Sequence, residues 1–189
     1  METTKKKLEK LDIILNEKNA PIQRYFNHGL SRQEVVDFFN SRGILASDSL
    51  IALYEWHNGV DVTRFHVRQS LIQMFPMGIF CTLDFMMERR SQIIEDLDYL
   101  QLGDLHQYLP LFSGGEDNLF LYKISTGEIF YISPIIQILG ELEFKSIDTM
   151  LDCLIEAYLD GTFTIDQEIG LNANYFEFEN KKEKYRDLS

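Results

Sequence analysis

The chain has 189 residues, 45% of them hydrophobic and 25% charged, with 14 Phe and 9 Tyr. That is enough apolar mass for one domain with its own core, and the opposite of the balance that keeps a chain disordered. The net charge of −12 disfavours nucleic acid as a partner, because phosphates need a basic surface. Charge also breaks every apolar run within about 18 residues, which argues against a helical membrane span.

The first ten residues are polar and lysine-rich with no apolar stretch behind them, so no secretory leader is expected. Thr3 to Lys18 predicts a short helix with Leu8, Leu11, Ile14 and Leu15 on one face. Ser31-Arg32-Gln33-Glu34 has the form of a capping box that opens a second helix, with Val35, Phe38 and Phe39 facing inward and Gly43 closing it. A third helix follows Ser47 and Asp48, carries Leu50, Leu53 and Tyr54, and stops at the Asn58-Gly59 turn. Leu71 to Phe75 reads as a strand ended by Pro76. Thr82 caps a longer helix that reaches about Leu100, with Met86, Ile93, Leu97 and Leu100 inward. Asn118 to Ser133 is an antiparallel hairpin, two β-rich runs around Ser125-Thr126-Gly127-Glu128, and Leu109 to Phe112 adds a strand beside it. Ser146 caps a final helix with a broad apolar stripe from Ile147 to Leu159, ended by Gly161. The aromatic and charged segment after Gly170 has no assignable form. Regular βαβ alternation is absent, so an α+β fold is expected, an antiparallel sheet with helices packed around it.

Little in the chain suggests catalysis. His28, His57, His66 and His106 form no metal-spaced pair. No nucleophile elbow or phosphate-binding glycine loop is present, and Ser113-Gly114-Gly115-Glu116-Asp117 carries acids that would repel phosphate. Glu116, Asp117 and Asn118 lack the spacing of a Ca²⁺ loop and read as a solvated approach to the hairpin. Cys81 and Cys153 fit no CxxC pattern and read as reduced, buried residues, which makes the cytoplasm the expected compartment. No cofactor, metal or catalytic residue is expected. Glu88-Arg89-Arg90 reads as a solvated helix face or the rim of a binding surface. Trp56, the one tryptophan, reads either as core or as the anchor of a groove.

Four segments in this order resemble the SUKH superfamily, the group around the fungal Smi/Knr cell-wall-assembly regulators: LYEWHNGV (53–60), FPMGIFCTLDF (75–85), YLPLFSGGEDNLFLYKISTGEIFYI (108–132) and SIDTMLDCLIEAY (146–158) followed by Gly161. Glu116 stands before Asp117 where that family has a Gly-Gly-Asp run. The resemblance covers about residues 29–163 and leaves 1–28 as an N-terminal helical extension and 164–189 as a C-terminal one. It implies an α+β platform without an established catalytic centre. Many bacterial members are similar to immunity proteins that neutralise a toxin, often a nuclease or deaminase, whereas fungal members look like interaction hubs.

Charge placement fits a protein partner. Ser91 to Ile169 holds 15 acids against Lys123 and Lys145, a net of −13, and the remainder is close to neutral at +1. This excess either keeps the chain soluble or draws a basic toxin domain. On that reading Glu116, Asp117 and Asn118 steer the partner, Trp56 and Tyr122 anchor it, and Asn58, Gly59, Gly114 and Gly115 are structural turns. The alternatives are a regulatory interaction module without a toxin, and a small-ligand receptor or enzyme using a pocket near Trp56.

Overall fold

In the computed structural model, residues 2–61, 67–96, 104–114, 118–133 and 138–187 are described. They form an α+β fold. Helix α1 (Thr4–Glu17) buries Leu8, Leu11, Ile14 and Leu15, the stripe its spacing predicts. Ser31 and Glu34 satisfy each other's backbone amides at the start of α2 (Arg32–Asn40), a complete capping box. Ser47 accepts from the Leu50 amide to open α3 (Asp48–Trp56). The Thr82 hydroxyl accepts from Phe85 N at the start of α4 (Leu83–Asp96); Leu97 and Leu100 lie outside the described residues. Ser146 and Thr149 form a second capping box on α5 (Ile147–Asp160), which ends at Gly161 with φ +86°.

A five-stranded antiparallel sheet forms the centre, in the order β3 (Ile79–Phe80), β4 (Tyr108–Ser113), β5 (Leu119–Lys123), β6 (Ile129–Ser133) and β7 (Ile138–Phe144). The β5–β6 hairpin pairs Leu119 with Ile132 and Tyr122 with Ile129. Both faces of this sheet are apolar. Phe120, Tyr122, Ile129 and Phe144 join the main core with α1, α3 and α5. Leu119, Leu121 and Ile132 face the other way and pack with Ile93 of α4 and Leu105. A two-stranded ribbon of β1 (Phe26–His28) and β2 (His57–Val60) flanks the sheet. A second hairpin, β8 (Phe163–Asp166) and β9 (Gly170–Ala173), leads into α6 (Tyr175–Asp187).

One expectation changes. Leu71 to Phe75 is not a strand. Gln69–Leu71 is a 3-10 turn, and Pro76 and Met77 occupy a tight turn in which Gly78 N–H donates to Phe75 O (2.8 Å), so pairing with β4 starts only at Ile79. Strand β7 and helix α6 went unread. The N-terminal Leu8, Leu11 and Leu15 and the C-terminal Leu171 and Phe178 belong to the same core cluster as Phe39 and Tyr54.

Gly59 is required where it stands. Its φ is +69°, and an added Cβ would run into the backbone of Cys81 and Thr82. Gly43 also has positive φ (+67°) but faces open space. Gly59→Ala should therefore cost at least about 3 kcal/mol, left-handed strain plus displacement of the β3–α4 junction, whereas Gly43→Ala should cost about 1 kcal/mol of strain alone. Urea unfolding of the two variants checks the difference, and equal losses would contradict it.

Candidate functional site: an aromatic groove beside the Met77 turn

Part of the acid excess of the chain's second half finds cation partners within the fold. Asp148, Asp152, Glu156 and Asp160 recur every four residues along α5 and so share one face. At the first end, Lys7 of α1 reaches Asp152 Oδ2 at 2.6 Å and Asp148 Oδ1 at 3.7 Å, while Thr4 donates to Asp148 at 3.0 Å. At the other end, α6 brings Lys184 to Glu156 (2.9 Å) and Lys181 to both Glu156 and Asp160. Tyr185 donates to Glu156 at 2.7 Å. These donors, Lys184 foremost and then Tyr185, hold the Glu156 carboxyl down at about 2. Beside them Lys182 pairs with Glu143, both buried, and Arg186 reaches the same carboxylate at 2.8 Å.

One opening lies on the face of the sheet beside β7. A groove of about 250 Å³ runs between the Met77 turn, β7 and α6, lined by Met77, Phe120, Tyr131, Glu141, Phe178 and Lys182 among others. Met77 has φ +61°, unusual for a residue with a side chain. Its sulfur lies 3.8 Å from Asn118 Nδ2 and 3.7 Å from the Tyr131 hydroxyl. Burial raises the Tyr131 pKa, and the carboxylates of Glu143, Glu141 and Glu179 add to the rise, while Ser133 opposes it. The groove thus has aromatic walls and three carboxylates, of which Glu143 and Glu179 are paired with Lys182 and Arg186 in the same lining. Tyr175 on its rim is 60% exposed and Phe176, next along α6, is 76% exposed.

The residues singled out from sequence scatter around this groove. Asn118 reaches it, and its Oδ1 is buried without a hydrogen-bond partner among the described residues. Gly114 sits against the Met77 carbonyl, where a Cβ would come within 2.9 Å, and its N–H donates to Asn118 O at 2.7 Å. Gly115, Glu116 and Asp117 lie outside the described residues. Tyr122 is not a surface anchor. It is 2% exposed and its hydroxyl bonds Ser47 at 2.9 Å, so it could reach a partner only by leaving the core. Trp56 is half-buried elsewhere, edge-on to Phe26 at 5.1 Å, and borders a different cavity between α1 and α3 with Lys5, Leu8, Glu9 and Leu30. Asn58 has a structural task that its turn position did not announce: its Oδ1 accepts from Leu83 N at 3.0 Å and so helps cap α4.

The remaining reactive groups are built into the structure. His57 stacks on Phe26 with ring centres 4.2 Å apart, and its Nδ1 lies 3.0 Å from Asn27 O; burial lowers its pKa. Burial pushes both thiols up to about 12, far from the thiolate range that nucleophilic chemistry needs. Among the described residues no three His, Cys, Asp or Glu side chains converge as a metal site. Met77, Tyr131, Glu141, Tyr175 and Phe176 were missed as candidates; Pro76-Met77-Gly78 was the signal that could have marked the turn.

The clamp at Glu156 has a pH signature. Its folded pKa lies below the ordinary 4.5, so its contribution is complete above that value and disappears as pH falls towards 2. Glu156→Gln should remove this component. The stability lost by wild type between pH 6 and pH 3 should shrink in the variant, and urea unfolding at the two pH values would expose an unchanged difference.

Compared with known proteins, the chain matches no family model, and none of the curated proteins matches it.

Proposed function

We propose that this chain is a non-catalytic binding protein of the SUKH type that neutralises a basic, nuclease-like toxin in the cytoplasm, gripping it through the groove beside Met77. The observation that carries this reading is the pairing of exposed aromatic rings with carboxylates beside β7. Tyr175 stands open to solvent in the groove that Glu141 and Glu179 also line, and Phe176 follows it, exposed, along α6. Aromatic side chains supply most of the energy of protein interfaces. A negative field speeds encounter with a basic surface, to ~10⁸ M⁻¹s⁻¹ at low salt. A nuclease surface is basic because it must attract phosphate, so the two fields complement each other.

The element order supports the same reading. The four SUKH-like segments fall on the α3–β2 junction, the Met77 turn with β3 and the start of α4, the β4–β5–β6 sheet, and α5. Two of the four therefore border the groove. Met77 in a left-handed conformation is strained by about 1–2 kcal/mol, and strain of this kind collects at functional positions. Glycine would take up that backbone freely, so stability alone does not account for a methionine there.

The test is binding and rescue with toxins encoded beside the gene. Co-expression should protect cells, and calorimetry should show that Phe176→Ala and Glu141→Lys each weaken the complex by more than about 1 kcal/mol. Met77→Gly should leave stability within about 1 kcal/mol of wild type, since relief of strain offsets lost contacts, yet weaken binding. The proposal fails if no neighbouring toxin binds and none is rescued.

A further inference from the structure

The geometry points to a second interaction surface, hidden in this conformation: the face of α5 and β7 beneath α6 is a socket for a basic helix, and α6 fills it as a resident stand-in that a partner's helix displaces. This deepens the reading of a basic protein partner and rests on it.

Helix α6 is held differently from the other long helices. In α5, eight side chains are buried. In α6 only Phe178 and Lys182 are, while Tyr175, Phe176 and Glu177 are exposed. Phe178 enters the core against Phe163, with ring centres 4.7 Å apart. Tyr185 is half-buried against the core and donates to Glu156 at 2.7 Å; the rest of the docking is electrostatic, Lys181, Lys182, Lys184 and Arg186 on Glu143, Glu156 and Asp160. Of these pairs Lys184 to Glu156 is the exposed one, and a pair of that kind contributes little net stability and is screened by salt; Lys181 and Arg186 are half-buried in theirs. The buried Lys182–Glu143 pair gives back much of its attraction as desolvation. A helix seated in this way is specified by charge more than it is fastened by burial, and belongs among the segments that open first.

Its removal would uncover an apolar hole lined by Phe163, flanked by three carboxylates. That pattern fits an incoming helix with one aromatic residue and cations three, four, six and eight positions later, the spacing of Phe178, Lys181, Lys182, Lys184 and Arg186. Such a helix restores every pair that α6 gives up, so exchange needs no new unpaired charge. The hinge is local. Asn174 N–H donates to Thr162 O (2.9 Å), and the Asn174 carbonyl and side chain accept from the first amides of α6, so the β8–β9 hairpin can stay while the helix swings. Tyr175, Phe178 and Glu179 also line the Met77 groove, so departure of α6 would widen the first surface as it opens the second.

The probe is a fluorescent synthetic peptide of residues 174–187, added to the full chain and followed by anisotropy. It should bind wild type weakly, and bind about tenfold more tightly to a chain carrying Lys181→Glu and Lys184→Glu, whose own helix competes less well. In that double variant, whose own helix no longer occupies the socket, binding should fall about tenfold between 50 and 300 mM salt and disappear when Glu156→Lys is added. Absence of binding to wild type at up to about 1 mM peptide, or binding indifferent to Glu156→Lys, overturns the proposal. A peptide that binds when no toxin does leaves the socket standing and removes the toxin reading; a toxin that binds when the peptide stays silent does the reverse.

Discussion

The arrangement depends on one acidic stripe. Four carboxylates at four-residue intervals along α5 repel one another, each neighbouring pair disfavouring the helix by a few tenths of a kcal/mol. The two helices farthest apart in sequence relieve that repulsion. Lys7 of α1 covers the first half of the stripe, and Lys181 and Lys184 of α6 cover the second. Lys7, Lys181, Lys182 and Lys184, from the two ends of the chain, are thus counter-ions of its acidic middle. A charge distribution that looks from sequence like a surface feature is in part internal wiring. It also fixes how the ends of the chain close over the core, since α1 and α6 both pack on α5.

This closure determines where function can reside. Both faces of the five-stranded sheet are covered, one by α1, α3 and α5 and the other by α4. The Met77 groove is a gap in that cover, and there the described surface combines a strained turn, aromatic rings and Glu141. Fold alone does not decide function, and the argument for partner binding rests on this site rather than on the architecture.

Local chemistry was legible in the sequence and long-range contacts were not. Ser31, Ser47 and Ser146 announce their helices because a cap is written within four residues. The β5–β6 hairpin is equally local. Leu71 to Phe75 misled because an apolar run has no fixed conformation of its own, and the turn around Pro76 and Met77 claims its end. Strand β7 carried a readable signal, Glu141 and Glu143 alternating with Leu142 and Phe144, but the lone Gly140 obscured it. Tyr122 could not be told from a surface tyrosine, because alternation identifies an inner face only when the other face is polar, and here both are buried. Helix α6 was opaque for the same kind of reason. Its amphipathic logic is electrostatic, and the acids that complete it lie 21 to 43 residues away. Candidate residues 115–117 fall outside the described part of the chain, so the site is built from their neighbours Gly114 and Asn118.

The most direct measurement is native-state amide hydrogen exchange across a salt series at neutral pH. If the acidic stripe seats the outer helices, rising salt should strip protection from α6 first, then from the Lys7 turn of α1, while β4, β5 and β6 hold theirs. Protection that stays uniform, or that falls evenly through helices and sheet alike, would contradict the account.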